Sequence, residues 1–474
     1  MKIGGIEVSG ITNDSRRVQP GWAFFAVRGA KMDATQFIPD VLARGASVVV
    51  TDKDYKGDSF KVDNVSKFLG ETAAKFFAPL PENIIAVTGT AGKTSTVHFC
   101  RVILENLGKN AASIGTMGLI HKGINAEIGT STNTTPDAIL LAQTLHNLKL
   151  QGCDYVAMEA SSIGIAQDRM TALPVKVAAF TNLSRDHISE TEHKDMDDYF
   201  AAKKRLFTEV LAQDGIAVLN ADEPKSVELA NIKQKILWYG KTGTDIKLVD
   251  AEYTEESQKV TIEIGGKNYS YELEAAGEFQ TYNSMCAIGM VIGLGFPVKE
   301  IIDAINESPA PAGRLQFIGT PVEGGGVYAD FAHTPGALQA VLESARKFCK
   351  GRLMVLSGTG APRDPGKRPM MGAVMQALAD VVYITDGSFR IYDPKEIRDN
   401  IASKCPKGII IPGRRNAIAQ AVRDMKENDV LVVCGMGEEQ WLYMGTGRYH
   451  FSDIEEAKKA IDFRKCFPGI DLPL

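Results

Sequence analysis

The sequence lacks the features that mark secreted and membrane proteins. Its seven cysteines are scattered among 474 residues, and no two have the CxxC spacing of a metal or redox site. We therefore expect reduced thiols rather than a disulfide framework. The longest apolar run, residues 285–298, is interrupted by glycines and is too short to span a bilayer. Because the N-terminus also lacks a charged segment followed by an apolar one, we predict a cytoplasmic protein without a secretory signal or membrane insertion.

Positive and negative charges are nearly balanced in the sequence. The chain has 53 Lys and Arg residues against 58 Asp and Glu residues, a net charge of −5, so no nucleic-acid partner is expected. This balance leaves room for local basic pockets that bind phosphates. A single hydrophobic core rarely extends over 474 residues, which predicts about three domains.

Two proline-containing breaks divide the chain. Residues 79–81 follow a short β-rich segment and one helical stretch, and residues 309–313 separate two regions in which apolar strands alternate with helical windows. This alternation indicates βαβ units around parallel sheets. Residues 247–274 differ, because their alternating pattern around Gly265 and Gly266 predicts an antiparallel hairpin. We predict an α/β protein with domains at 1–81, 82–311 and 312–474.

The most specific motif is G-x-x-G-K-T, which lies between a predicted strand at 84–87 and a predicted helix at 94–107. Small residues let backbone N–H groups surround a phosphate, and the helix N-terminus adds a favourable dipole. Lys93 is expected to contact β- and γ-phosphates, and the Thr94 hydroxyl to ligate Mg²⁺. The predicted phosphate-binding residues are Gly89, Thr90, Gly92, Lys93, Thr94 and Ser95.

Polar side chains follow the next predicted strands. Glu159 comes directly after an apolar strand and could hold a nucleotide-bound Mg²⁺, although an ordinary solvated or capping glutamate is the alternative. Ser161 could cap a helix or contact a ligand. His187 ends a polar string and could ligate a metal, although a lone histidine is more often a surface or packed residue.

Charged residues also follow the strands of the predicted C-terminal sheet. They lie at Arg314, at residues 330–335, at 363–369, at Arg390 and at 435–439. Helix caps and turns explain such residues in many proteins. Because basic and acidic groups would meet at one edge of the sheet, they could also hold a zwitterionic substrate.

Taken in order, these strings resemble the Mur ligases, the ATP-dependent enzymes that build the stem peptide of peptidoglycan. The N-terminal GITNDSRRVQPGWAFFAVRG resembles the family's uridine-nucleotide-binding domain. The later matches are VTGTAGKTST, STNTTPDA, MEASSIGIAQDR, FTNLSRDH, YFAAKKRLF, AGRLQ, DFAHTP, RDPGKRPMMG and GMGEE. Within the family, the strings are most similar to the enzymes that add the third residue, meso-diaminopimelate or L-lysine, to UDP-N-acetylmuramoyl-L-alanyl-D-glutamate.

The resemblance implies a fold and a set of ligands. The expected architecture has a small N-terminal α/β UDP-binding domain, a central P-loop ATPase domain with a parallel sheet, and a C-terminal Rossmann-like α/β domain that binds the amino acid. ATP and Mg²⁺ are the implied cofactors, and the UDP-muramoyl-dipeptide and an amino acid are the implied partners. We expect a monomer.

The resemblance also implies roles for individual residues. The implied catalytic residues are Lys93, Glu159, His187 and Lys203, the last as a carbamylated lysine because the AAK register selects it over Lys204. The implied metal ligands are Thr94, Glu159 and His187, and the implied ATP-binding residues outside the loop are Asn283, Arg314, Asp330 and His333. The implied substrate-binding residues are Ser15, Asn133, Thr134, Thr135, Ser161, Gln167, Arg169, Arg368, Arg390, Gly435 and Glu439.

Several positions depart from the family pattern, namely Ala91, Ile163, Gln280, Met436 and Glu438. The amino-acid selector, usually DNPR or DNPA, reads GSFR at 387–390. Arg390 could pair with the distal carboxylate of diaminopimelate and Glu439 with its ammonium, which favours diaminopimelate over L-lysine. A divergent paralogue with another amino acid or acceptor, and a nucleotide-binding homologue without turnover, remain as alternatives.

Overall fold

The N-terminal segment is a small parallel sheet with two helices. The protein is represented by a computed structural model that describes residues 1–29, 33–55, 57–126, 133–360 and 364–466. The strands are β1 (Lys2–Ile3), β2 (Ile6–Glu7), β3 (Gly10–Thr12), β4 (Trp22–Phe25), β5 (Val48–Thr51) and β6 (Ser59–Lys61), and the helices are α1 (Ile38–Ala43) and α2 (Val65–Phe76). Strands β3, β4, β5 and β6 pair in that order, all parallel. Strands β1 and β2 form a separate antiparallel hairpin.

The middle of the chain forms a twelve-stranded sheet. Its strands are β7 (Asn83–Thr88), β8 (Ala111–Gly115), β9 (Gly118–His121), β10 (Ile124–Ala126), β11 (Tyr155–Glu159), β12 (Val175–Phe180), β13 (Leu211–Asn220), β14 (Lys235–Gly240), β15 (Ile246–Tyr253), β16 (Gln258–Ile264), β17 (Lys267–Glu274) and β18 (Ser308–Pro309). Its helices are α3 (Lys93–Asn106), α4 (Ala138–Leu150), α5 (Ser162–Ala166), α6 (Met196–Arg205), α7 (Glu278–Gly293) and α8 (Val298–Ile305). The order of the strands is β10-β9-β8-β11-β7-β12-β13-β14-β15-β16-β17-β18.

In this spatial order, all neighbouring strands from β8 to β15 pair in parallel, as the alternating pattern predicts. The predicted hairpin is present at β16 and β17, where Gly265 and Gly266 adopt φ of 59° and 76°. Strand β15 adds a third antiparallel strand to it. The central strands are buried because helices cover both faces. Phe99 of α3 and Ile288 of α7 lie in the core on one face, and Leu141 of α4 lies in the core on the other.

The C-terminal segment forms a six-stranded sheet with helices between its strands. The strands are β19 (Gln316–Gly319), β20 (Gly326–Asp330), β21 (Leu353–Ser357), β22 (Val381–Ile384), β23 (Gly408–Ile410) and β24 (Val430–Cys434), and the helices are α9 (Pro335–Phe348), α10 (Lys367–Leu378), α11 (Pro394–Ala402), α12 (Arg414–Asp424) and α13 (Asp453–Cys466). The order β19-β20-β24-β21-β22-β23 is parallel apart from the edge strand β19. A separate hairpin consists of β25 (Trp441–Met444) and β26 (Gly447–His450).

The two large sheets place the predicted polar residues at their carboxyl edges. Glu159 ends β11, Asp330 ends β20, and the polar string containing His187 follows β12. In open α/β sheets such edges are the usual ligand sites. In the parts of the chain that the structure describes, no helix has the length and apolar character needed to cross a membrane.

Candidate active site

The loop between β7 and α3 requires glycine at two positions. Gly89 has φ of 151° and Gly92 has φ of 86°. A Cβ on Gly89 would lie 1.9 Å from Thr181 Oγ1, and a Cβ on Gly92 would lie 2.4 Å from Asn283 Oδ1. Both glycines therefore allow close approach, and the contact with Gly92 places Asn283 of α7 against the loop.

Side chains that follow β12 fix the conformation of this loop. The Ala91 N–H donates to Asn182 Oδ1 at 2.9 Å, and the Thr90 N–H donates to the Asn182 carbonyl at 2.9 Å. Thr181 Oγ1 donates to the Ala91 carbonyl at 2.6 Å. Ser95 is buried in the first turn of α3. The loop is thus fixed as a cradle at a helix N-terminus, a position that favours binding of a phosphate.

Two lysine amines share one carbonyl of this loop. Lys93 Nζ donates to the Gly89 carbonyl at 2.8 Å and to the Thr90 carbonyl at 2.9 Å. Lys203 Nζ, from α6, donates to the same Gly89 carbonyl at 2.8 Å. Burial, together with the nearby charge of Lys93, holds the pKa of Lys203 well below its usual range. Lys203 therefore has a larger neutral, nucleophilic fraction than an exposed lysine.

Tyr199 supports this pair and was missed by the sequence reasoning. Its ring lies 4.1 Å from Lys203 Nζ, and its hydroxyl lies 3.2 Å from Thr90 Oγ1. Tyr199 precedes Lys203 by one helical turn, a spacing that puts two side chains on the same face of a helix. That spacing could have predicted the contact.

Glu159 lies beside the first turn of α3. Its carboxylate accepts from Thr94 Oγ1 at 3.0 Å, from the Thr116 N–H at 2.8 Å and from Thr116 Oγ1 at 3.2 Å. The side chain is buried. Mg²⁺ is usually held by one or two carboxylates together with substrate phosphates and water, so the hydroxyl of Thr94 and the carboxylate of Glu159 fit this ion.

His187 lies among carboxylates. Its Nδ1 is 3.0 Å from Glu192 Oε2, and its Nε2 is 3.5 Å from Asp186 Oδ2. Within the described ranges, no three His, Cys, Asp or Glu side chains form a group that could hold a metal ion by themselves. The role of His187 as a metal ligand stays a prediction.

Asp186 joins the central sheet to the C-terminal segment. It accepts from Lys367 Nζ at 2.9 Å, and its other oxygen lies 3.7 Å from His333 Nε2. Burial alone would raise the pKa of Asp186, but the nearby His333 ring and the charge of Lys367 outweigh this and hold it well below its usual range. Arg185 adds an ion pair with Asp364 at 3.1 Å. The sequence reasoning assigned no role to Asp186 or Lys367.

A second group of predicted residues meets at the end of β11. Thr135 Oγ1 lies 3.0 Å from Ser161 Oγ, and Arg169 Nη1 donates to the Thr135 carbonyl at 2.6 Å. Gln167 Oε1 accepts from Arg169 Nη2 at 2.6 Å. Thr134 Oγ1 lies 3.3 Å from Thr116 Oγ1, next to Glu159. Thr134 is thus connected through Thr116 to Glu159, and the other four residues form one hydrogen-bonded group.

Other predicted residues are not gathered into this group. No hydrogen bond or ion pair in the described chain joins Ser15 to it, because Ser15 lies in a short turn of the N-terminal segment. Asn133 directly precedes Thr134. Ser131 and Thr132 of the STNTTPDA string, and Arg363 of RDPGKRPMMG, lie outside the described residues.

Arg314 is buried at the junction between the two large sheets. Its guanidinium pairs with Glu438 and lies 4.6 Å from the centre of the Phe331 ring. Asp330 accepts from two backbone N–H groups, at 2.7 and 2.6 Å. Burial raises the pKa of Asp330 to about 6.

The loops that follow three strands of the C-terminal sheet touch one another. A Cβ on Gly387 would lie 2.6 Å from the Thr359 carbonyl oxygen, and a Cβ on Gly435 would lie 2.7 Å from the Gly358 carbonyl oxygen. The loops after β21, β22 and β24 therefore form one surface. Gly435, one of the residues predicted to bind the amino acid, lies on this surface.

Two arginines belong to this C-terminal surface. Arg368, in the first turn of α10, is 5% exposed, and burial lowers its pKa. Its Nε has no hydrogen-bond partner in the described structure. Arg390 is exposed and lies over the ring of Tyr443 at 4.7 Å. Glu439 is exposed in the loop after β24.

Comparison with known proteins gives one consistent result. Three family models match along the chain: "Mur ligase family, catalytic domain" at 7–77, "Mur ligase middle domain" at 87–291 and "Mur ligase, glutamate ligase domain" at 313–437. Two similar proteins, from Mesorhizobium japonicum and Rhizobium meliloti, are both named UDP-N-acetylmuramoyl-L-alanyl-D-glutamate–2,6-diaminopimelate ligase. The first is 40% identical over 96% of this chain and 95% of its own, and the second is 39% identical over 96% and 94%.

Solved structures agree with this result. A structure of a UDP-N-acetylmuramoyl-L-alanyl-D-glutamate–2,6-diaminopimelate ligase is 27% identical, with a TM-score of 0.69 over 97% of this chain and 95% of its own. The fold alone is shared with the MurF ligase from Thermotoga maritima in complex with ADP, which is 19% identical with a TM-score of 0.64 over 98% and 100% of the two chains. The predicted α/β fold class is confirmed; the exact domain limits stay a prediction.

Proposed function

The chain belongs to the Mur ligase family, and we propose that it uses ATP to join meso-diaminopimelate to UDP-N-acetylmuramoyl-L-alanyl-D-glutamate in peptidoglycan synthesis. L-lysine is the alternative amino acid. One arrangement carries the proposal: Lys93 and Lys203 meet at the Gly89 carbonyl, and Glu159 contacts Thr94 beside them. The names of the similar proteins support the choice of substrates.

The reaction requires activation of a carboxylate, because loss of an oxide ion from it is prohibitive. A carboxylate oxygen of the D-glutamyl residue attacks the γ-phosphorus of ATP, and ADP leaves. The amine of the diamino acid then attacks the acyl phosphate, forms a tetrahedral intermediate, loses a proton and expels phosphate. Phosphoryl transfer of this kind depends mainly on positioning and on stabilisation of charge.

The loop residues supply this stabilisation. Lys93 now donates to two backbone carbonyls, and rotation of its side chain exchanges them for phosphate oxygens. The backbone N–H groups of the cradle and the first turn of α3 bind the remaining phosphate charge. The Thr94 hydroxyl and the Glu159 carboxylate would hold Mg²⁺, which would supply positive charge to the nucleotide phosphates.

Lys203 contributes a second anionic group in this proposal. A neutral lysine amine adds CO₂ and releases one proton to solvent to give an anionic carbamate, and the depressed pKa of Lys203 favours the neutral amine. The product places an anionic oxygen beside Lys93, where the free amine of Lys203 lies. This change offsets the repulsion between two amines that share one acceptor.

The remaining predicted residues divide by their location. Thr134, Thr135, Ser161, Gln167 and Arg169 bind the muramoyl-dipeptide near Glu159, and Arg368, Arg390, Gly435 and Glu439 bind the amino acid. Arg314, Asp330, His333 and Asn283 complete the ATP site, and Ser15 contacts the uridine nucleotide. We propose a cytoplasmic, monomeric enzyme without a nucleic-acid partner.

Phosphate release tests the proposal directly. The assay contains UDP-N-acetylmuramoyl-L-alanyl-D-glutamate, ATP, Mg²⁺ and one amino acid from a panel, and mass spectrometry identifies the product. We expect release only with all components and the highest kcat/KM with meso-diaminopimelate. Turnover with another amino acid alone would favour the divergent-paralogue alternative. ATP binding without turnover on any amino acid would favour the homologue that has lost catalysis.

A further inference from the structure

Arg390 presents an unusual combination of exposure and restraint. It follows β22 with φ of 52°, a left-handed conformation that few arginines adopt. The side chain is exposed, and no Asp or Glu carboxylate of the described chain lies within ion-pair distance of its guanidinium. A cation held at one place without a counter-ion can accept an anionic ligand without first losing a protein partner.

The hairpin of β25 and β26 provides the restraint. The Arg390 N–H donates to the Tyr443 carbonyl at 2.9 Å, and the Gly445 N–H donates back to the Arg390 carbonyl at 2.6 Å. The Tyr443 N–H donates to Ser388 Oγ at 3.3 Å. These bonds fix the backbone of the 387–390 loop, and they do not depend on the Tyr443 side chain.

The Tyr443 side chain acts on the guanidinium itself. The guanidinium carbon lies 4.7 Å from the centre of the ring, within the range of a cation–π contact. A guanidinium above a ring keeps its in-plane N–H groups free, and two of these match the two oxygens of a carboxylate. The ring also removes rotational freedom that a free arginine side chain would lose on binding a ligand.

We propose that Tyr443 is a positioning residue that makes this enzyme select an amino acid with a second, distal carboxylate. This inference rests on the proposed function. Tyr443 holds the Arg390 guanidinium so that both N–H groups meet the distal carboxylate of diaminopimelate. L-lysine ends in an ammonium and has no such group, so its binding gains nothing from Tyr443.

Three variants separate the ring, the hydroxyl and the hairpin. Tyr443→Leu removes the ring but keeps the backbone bonds, Tyr443→Phe keeps the ring, and Tyr449→Leu removes an exposed tyrosine from the other strand of the same hairpin. KM and kcat are measured for meso-diaminopimelate, L-lysine and ATP. We expect Tyr443→Leu to raise KM for diaminopimelate by roughly two- to fivefold, the effect of one exposed cation–π contact, with kcat changed much less. Tyr443→Phe restores the wild-type KM, and Tyr449→Leu has no effect.

The outcomes distinguish this inference from the proposed function. A wild-type chain that uses neither amino acid overturns the proposed function and the inference together. A wild-type chain that uses both equally well, or that prefers L-lysine, is still an ATP-dependent ligase and overturns the inference alone. A wild-type chain that prefers diaminopimelate, with Tyr443→Leu keeping that preference, overturns the inference alone. Equal losses with both amino acids, or no rescue by Tyr443→Phe, would assign Tyr443 to folding of the hairpin and likewise overturn it.

Discussion

The buried cations at the phosphate end of the candidate site and Arg390 at its amino-acid end are held in opposite ways. At the phosphate end, Lys203 is buried on a backbone carbonyl and Arg314 is paired with Glu438. At the amino-acid end, Arg390 is exposed and is held by an aromatic ring. Because burial removes a cation from water, the protein must supply its partners, whereas an exposed cation needs none. Ligands at the phosphate end must therefore displace existing contacts, whereas a carboxylate at Arg390 only adds them.

The strongest test of this difference is loss of the cation at the phosphate end. Lys93→Ala removes the amine that exchanges loop carbonyls for phosphate oxygens. Without it the charge on the transferring phosphoryl group is unbalanced, and we expect phosphate release to fall by about 10³-fold. Initial rates at saturating substrate measure the effect.

Lys109→Ala is the matched control, because Lys109 follows the far end of α3. Its rate should equal that of the wild-type chain. Substantial residual activity in Lys93→Ala would reject the assignment of the loop as the phosphate cradle. It would also mean that ligands at the phosphate end do not have to displace the contacts of Lys93.

A second test concerns Lys203, whose buried amine shares the Gly89 carbonyl with Lys93. Lys203→Ala removes the group proposed to carry the carbamate, and we expect about a 100-fold loss of rate, the scale for groups that orient a metal site. Depletion of bicarbonate should slow the wild-type chain and leave the variant unchanged. A ¹³C-bicarbonate NMR signal from a carbamate should be present only in the wild-type chain.

Lys204→Ala is the control for register, because Lys204 is the next residue of α6 and is only half-buried. It should retain its rate and the carbamate signal. A loss in Lys204→Ala without a loss in Lys203→Ala would show that the AAK register had been read one residue early. Full activity in a wild-type chain that carries no carbamate would show that carbamylation of Lys203 is not needed for the reaction.

The two ends also differ in how well the sequence predicted them. The phosphate cradle is contiguous in the chain, so its strand, glycines and helix can be recognised from the order of the residues alone. The pairing of Asp186 with Lys367 joins the loop after β12 to α10, and the contact of Arg390 with Tyr443 joins the loop after β22 to strand β25. Neither has a local spacing rule, because both depend on how distant strands are ordered.

The same limit applies to the fold. Alternating strands and helices predicted the parallel sheets, since each βαβ unit is a local pattern. The third antiparallel strand, β15, was not resolved from the hairpin, because all of residues 247–274 share one alternating pattern. In the sequence, Glu438 was only a departure from a family motif. Its ion pair with Arg314 became known from the structure.

The smallest expected effect tests whether the contacts at the phosphate end compete with the ligand. Glu438→Gln keeps a hydrogen bond to Arg314 but removes the negative charge that neutralises it. Because a neutral partner is easier to displace than a charged one, we expect KM for ATP to fall about threefold. The buried guanidinium then lacks its counter-ion, so Tm should fall by about 2 °C without nucleotide. ATP should restore more of Tm in the variant than in the wild-type chain, since the phosphates replace the missing charge.

Glu427→Gln is the control for this change, because Glu427 is exposed before the opposite end of β24. It should change neither KM nor Tm. A rise in KM for ATP in Glu438→Gln would mean that Glu438 holds Arg314 in its binding position, as Tyr443 holds Arg390. Each end of the site would then hold an arginine in the position that binds its ligand. The two arginines would differ only in how deeply they are buried.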